Sequence, residues 1–91
     1  MEKRIGVISL LINGKESVPN VNQVLSNHSD IILARQGLPI RDKNIQVISL
    51  IVEGTTDQIS ALNGPMGKLP GVQVKSVLTN YREETNDHNF T

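Results

Sequence analysis

The sequence has no cysteine and no tryptophan, and only one tyrosine and one phenylalanine. Without thiols there is no disulfide framework, no thiolate zinc site and no cysteine-ligated iron–sulfur cluster. The two aromatics, Tyr81 and Phe90, both stand near the C-terminus. The body of the chain therefore has nothing on which to stack bases, as RNA-recognition sheets do. Excess charge of either sign is missing as well: nine basic residues balance nine acidic ones, for a formal net charge of +0. Neither nucleic acid nor an anionic membrane is offered a field to bind. The apolar run from Ile5 to Ile12 falls well short of the roughly 20 residues that cross a bilayer, and no small-residue cleavage site follows it. A cytoplasmic protein is expected, with no membrane and no nucleic-acid partner. At 91 residues the chain is a single domain. A domain this small buries only about 60% of the surface its unfolded chain exposes, so its core is thin and cover from a partner would help it.

Groups that carry chemistry are equally scarce. The histidines are His28 and His88. His28 falls in step with Val18, Val21 and Leu25 at a helix end, where a capping or half-buried role is the ordinary one, and His88 stands in the tail. No carboxylate pair has acid–base spacing, and no serine sits in a nucleophile-elbow pattern. Gly64-Pro65-Met66-Gly67 lacks the Lys-Ser/Thr of a phosphate loop. The expectation is a protein that is not an enzyme and holds no metal and no cofactor.

What the sequence does contain is repetition. Residues 5–12 read IGVISLLI and residues 45–52 read IQVISLIV, at an offset of 40 residues, and Gly14 matches Gly54 just beyond each run. Buried strands share Val, Ile and Leu in any case, but the shared Ser9/Ser49 and Gly14/Gly54 favour duplicated halves. Each run is apolar on both faces, with Ile8, Leu10 and Ile12 pointing one way and Ile5, Val7 and Leu11 the other. A helix signal follows each glycine. In the first half Ser17 can cap and Pro19 sits in the first turn. In the second, Thr55 and Gln58 form a capping-box pattern, and Pro65 predicts an end or kink near Asn63-Gly64. A shorter strand closes each half, Ile31–Arg35 and Val72–Leu78, the latter alternating as an edge strand does.

Two β-α-β halves joined with right-handed crossovers give an α+β, ferredoxin-like βαββαβ two-layer sandwich. Its four-stranded antiparallel sheet carries both helices on one face, with the first and third strands central. The domain is expected over residues 1–79, with residues 80–91 a disordered polar tail. The sheet face away from the helices would expose Val, Ile and Leu, a patch that monomers rarely leave in water. A homodimer or higher homo-oligomer, packed sheet to sheet or edge to edge, is the simplest cover. A partner protein, or the chain's own loops and tail, would also serve. Aspartate at Leu10 or Ile48 is expected to release monomers, at whichever of the two lies on the uncovered face.

One segment suggests a ligand. Arg35-Gln36-Gly37-Leu38-Pro39-Ile40-Arg41-Asp42 joins the second strand to the third, with Gly37 and Pro39 shaping a turn. Arg35 and Arg41 are suited to a bidentate fork on a carboxylate or phosphate; alternatively they pair with Asp30, Asp42 or Glu53. Gly14 and Gly54 mark strand ends where a backbone can approach a small molecule closely. The candidate ligand-binding set is thus Arg35, Gly37, Arg41, Gly14 and Gly54, and the candidate ligand is a small anion or an amino-acid-like molecule.

The string DIILARQGLPIRDKNIQVISLIVEGTTDQISALNG, with GKLPGVQVKSVLT after it, resembles the family of iron-only hydrogenase system regulators. The likeness covers nearly all of residues 3–79 and is sharpest in Arg35-x-Gly37-x-Pro39-x-Arg41, in Val52 to Asp57 and in Gly71 to Ser76. It implies an ACT-like fold, dimeric or higher assembly, and a regulatory module that senses a small molecule or acts through a partner protein. A purely structural assembly protein without ligand is the alternative. The family pattern of Gly-Lys-Leu-Gly after the second helix is Gly64-Pro65-Met66-Gly67 here, so no lysine role carries over to that place. The related nickel-responsive repressor's metal-binding histidines and cysteine are also missing, as is its separate DNA-binding segment, so the resemblance implies neither nickel nor DNA.

Overall fold

The computed structural model describes residues 2–82. The chain runs β1 (Arg4–Asn13), α1 (Val18–Asn27), β2 (Ile32–Ile40), β3 (Ile45–Gly54), α2 (Thr56–Gly67) and β4 (Val72–Arg82), with short 3₁₀ turns at Ser29–Ile31 and Arg41–Lys43. The strands form one antiparallel sheet in the order β2-β3-β1-β4, so the two long apolar runs are central. This is the α+β sandwich that the repeat implied.

In β1 and β3 the even-numbered side chains turn inward. Ile8, Leu10 and Ile12 meet Ile48, Leu50 and Val52, and both sets are buried against Val21 and Leu25 of α1 and Ile59, Leu62 and Met66 of α2. Leu10 and Ile48 are cross-strand partners on this helix-covered side. Neither lies on the open face, so the expectation that aspartate at one of them releases monomers is corrected: both positions are core.

The ladder also explains the 40-residue repeat. Ser9 faces Ser49 directly, and the flanking pairs Ile8–Leu50 and Leu10–Ile48 exchange when each residue is replaced by its counterpart in the other half. The β1–β3 register is therefore its own image, about a point between the two serines.

The helix starts divide. Thr55 and Gln58 close a full capping box, the Gln58 amide donating to Thr55 Oγ1 at 3.1 Å and the Thr55 amide to Gln58 Oε1 at 2.8 Å. Ser17 occupies the cap position of α1, but its hydroxyl caps nothing there. It is buried and donates instead to the Pro70 carbonyl at 2.6 Å, tying the start of α1 to the loop before β4. Pro65 does not end α2, which continues to Gly67. Pro65 is exposed, whereas the next residue, Met66, is fully buried. Burying a methionine stabilises by about 1.5–3 kcal/mol, enough to offset one missing hydrogen bond.

Both edge strands are longer than expected. The segment read as a turn is the body of β2, with Gly37 opposite Ile48 and Pro39 opposite Gln46. An edge strand is where a sheet tolerates proline. The reversal falls later, in the 3₁₀ turn and at Asn44, which is left-handed at φ 54°. β4 continues three residues past Thr79, to Arg82 opposite Arg4. The disorder expected of the rest of the tail, residues 83–91, lies outside the described residues.

Candidate functional site

At the end of the sandwich where β1 passes into α1, three pieces of chain enclose an open hollow of about 500 Å³. Gly14, Lys15 and Val18 supply one side, Pro39, Ile40 and Arg41 the second, and Asn44, Ile45 and Gln46 the third. Two left-handed residues build it. Gly14 at φ 77° turns the chain out of β1, and Asn44 turns it into β3. The Gly14 amide donates to the Asn44 carbonyl at 2.9 Å, which locks the two turns together. That hydrogen bond occupies the amide that the sequence reading reserved for a ligand. Gly14 therefore acts through conformation, by placing Lys15 at the rim.

The cationic groups of the lining are Lys15 and Arg41, both exposed, and no carboxylate is among the lining residues. Among the described residues neither cation has a hydrogen-bond or ion-pair partner, so Arg41 does not form the surface pair with Asp30, Asp42 or Glu53 that was weighed against a ligand role. Asn44 and Gln46 bring side-chain amides, and Val18, Ile40 and Ile45 an apolar wall. Two unpaired cations, two amides and an apolar wall suit a carboxylate or phosphate attached to a small apolar body.

The structure brings together only part of the expected set, namely Gly14 and Arg41. Arg35 stands near the middle of β2, six residues before Arg41. Six residues of extended chain span about 20 Å, too far for the two guanidiniums to fork one carboxylate. Arg35 Nη2 donates to Asn22 Oδ1 at 2.8 Å, tying β2 to α1. Gly37 lies between the two arginines, and a Cβ there would meet Gln46 Nε2 at an ordinary 3.6 Å. Gly54 sits at the opposite end of β3. A Cβ on it would come within 2.8 Å of Gln58 Oε1 and 3.3 Å of Ile31 Cγ2, so its place is a matter of packing under the capping box.

Sequence reasoning missed Lys15, Asn44 and Gln46. Lys15 follows a glycine already singled out. Asn44 belongs to the residue type that most readily adopts the left-handed conformation apart from glycine, but nothing local placed it opposite Gly14. His28 caps α1: its ring Nδ1 lies 2.9 Å from the Val24 carbonyl and donates to it in the tautomer that carries the proton there. No group of side chains suited to a metal ion occurs among the described residues, and no helix there is long and apolar enough to cross a membrane.

Sheet and helices define the class: a small two-layer α+β domain of ACT-like fold. Residues 4–76 match the TM1266-like family, described as a proposed iron-only hydrogenase system regulator, and the chain belongs to that family. Among solved structures, the uncharacterized protein TM1266 from Thermotoga maritima is 36% identical, with a TM-score of 0.81 over 84% of this chain and 96% of that one. Two more distant likenesses show the fold alone. An unknown protein from Galdieria sulphuraria gives 17% identity and a TM-score of 0.59, over 87% of this chain and 46% of that one. A formyltetrahydrofolate deformylase from Pseudomonas putida gives 10% and 0.62, over 85% and 30%. No curated protein matches the sequence.

Proposed function

We propose that this protein is a non-enzymatic regulatory module of a cytoplasmic iron-only hydrogenase system, and that it responds to a small molecule bearing a carboxylate or phosphate. The observation that carries the reading is the hollow between the β1–α1 turn and the β2–β3 turn, which Lys15 and Arg41 line without a counter-ion among the described residues. A charge left unpaired at the mouth of a concave, partly apolar site is available to an incoming anion, and arginine fits a carboxylate or phosphate in two parallel hydrogen bonds.

A thermal-shift screen with inorganic phosphate, amino acids and 2-oxo acids tests it. A binder present at 100 times its dissociation constant stabilises the fold by about 2.7 kcal/mol. Arg41→Ala and Lys15→Ala are expected to abolish the shift, and Arg35→Ala, engaged with Asn22, to leave it in place. Full affinity in Arg41→Ala would move the site elsewhere. A second reading, an assembly protein without ligand, is favoured by the open sheet face, and it gains if no compound in the screen binds.

A further inference from the structure

The sheet face turned away from the helices is organised in rows. Antiparallel register sets Gln36, Ser49, Ser9 and Lys75 side by side across all four strands. This polar row is bordered on one side by Leu38, Val47 and Leu11, with Gln73 at the β4 end, and on the other by Ala34, Ile51, Val7 and Val77. The apolar rows are open to solvent: Val77 is 67% exposed, Leu38 60%, Ile51 42% and Val7 40%. The pattern is apolar, polar, apolar, and its midpoint is the Ser9–Ser49 pair on which the β1–β3 ladder is centred.

We propose that this face receives a second copy of the same chain, sheet against sheet, about a twofold axis running close to the strand direction. Stacked sheets align their strands to within about 30°. Such an axis lays β3 over the partner's β1 and β2 over the partner's β4. Each row then falls on its own copy. Ile51 meets the partner's Val7, Val47 meets the partner's Leu11, and the small Ala34 sits under the partner's Val77. The serines meet each other and Gln36 faces the partner's Lys75; among these rows the one mixed contact is Leu38 on the partner's Gln73, at the sheet edge. The perpendicular axis in the same plane would match the rows nearly as well, because the ladder is its own image. It would set Lys75 against the partner's Lys75, however, and like charges directly opposed are destabilising. The lysine at one end of the polar row selects between the two.

Three further observations favour a second copy over other cover. Four strands of about eight residues present roughly 500 Å² per copy, near 1,000 Å² for the pair, which is about the lower bound for a specific interface. Residues 83–91, EETNDHNFT, contain one large apolar side chain, Phe90, too little to cover two apolar rows. A formal net charge of +0 opposes self-association with no long-range repulsion.

Analytical ultracentrifugation of the full chain, from low micromolar concentration upward, tests the proposal. The wild type is expected to be dimeric, and Ile51→Asp to weaken the dimer at least tenfold while the circular dichroism stays unchanged. Gln36→Glu places a carboxylate against the partner's Lys75 and is expected to tighten the dimer about two- to thirtyfold at low salt, at about 0.2–1 kcal/mol for each of two pairs. A monomeric wild type overturns the proposal and leaves the face to the tail or to a different protein. An Ile51→Asp variant that dimerises normally overturns it in favour of another surface. If Gln36→Glu weakens the dimer, the axis along the strands is wrong. Should Ile51→Asp fail to fold, Leu38→Asp on the exposed edge strand takes its place, with the same expected loss and the same overturning result.

Discussion

Single residues explain how the two turns of the hollow hold their shape, and the glycines separate cleanly by cause. Gly14 and Gly71 both have positive φ, 77° and 73°. A Cβ on Gly14 would meet nothing within 4 Å, whereas one on Gly71 would lie 2.9 Å from the Asn13 carbonyl oxygen. The backbone at that point cannot give way easily, because the Asn13 amide donates to the Gly71 carbonyl at 2.7 Å. Gly14→Ala should therefore cost only the left-handed conformation, about 1–2 kcal/mol. Gly71→Ala should cost more, by roughly a further 1 kcal/mol for the displaced backbone. Urea denaturation of the two variants checks the order, and equal losses would mean that the loop before β4 yields freely. The site was half legible at this scale. Gly14 and Arg41 stood out as a strand-end glycine and an arginine beside a stiff turn. Lys15, Asn44 and Gln46 did not, because the fold alone brings them together and no local spacing records it.

At the level of elements, β1 and β3 were legible because a strand covered on one face and lying at the centre of a sheet is apolar at nearly every position, and because the sequence states it twice. α2 was legible through its capping box. β2 was not, since Gly37 and Pro39 carry the signature of a turn. Pairing with β3 gives those residues a ladder that local propensity does not predict, and the reversal moves to Asn44. β4 was cut short at its C-terminal end for a similar reason. Its alternation breaks after Leu78, but the strand carries on past an irregularity in its pairing with β1 and reaches Arg82 opposite Arg4. Thr79 helps to hold that end: its hydroxyl donates to the Ile5 carbonyl at 2.8 Å and accepts from the Tyr81 amide at 3.3 Å. A chain ending at Thr79 should consequently melt below one ending at Arg82. The loss of about one hydrogen bond's worth of stability, near 1 kcal/mol, corresponds to about 4–8 °C in a domain of this size. Calorimetry on the two truncations decides it, and coincident melting curves would show that residues 80–82 contribute nothing.

For the molecule as a whole, the two faces of one sheet have opposite duties, and substitutions on adjacent strand positions should separate them. Leu10 is 1% exposed beneath the helices, and an aspartate there would be a buried, unpaired charge. In a small domain with a stability of order 5–15 kcal/mol, Leu10→Asp is expected to unfold the protein outright, with loss of dispersion in its amide proton spectrum. A folded Leu10→Asp variant would mean that the core can open to water. The ladder at the heart of the sheet has a further consequence. Because its register is unchanged when each residue is exchanged for its counterpart 40 positions away, the intramolecular sheet is the one that two half-length chains would make by pairing with each other. The covalent link between Ile40 and Ile45 contributes effective concentration rather than geometry: it converts a meeting of two β-α-β peptides into a closure that does not depend on how much protein is present. What the joined chain gains in addition is the freedom to let its halves diverge, and the divergence is where the candidate site lies. Gly14 became an open turn with a lysine at its rim, while its counterpart Gly54 became a packed helix start.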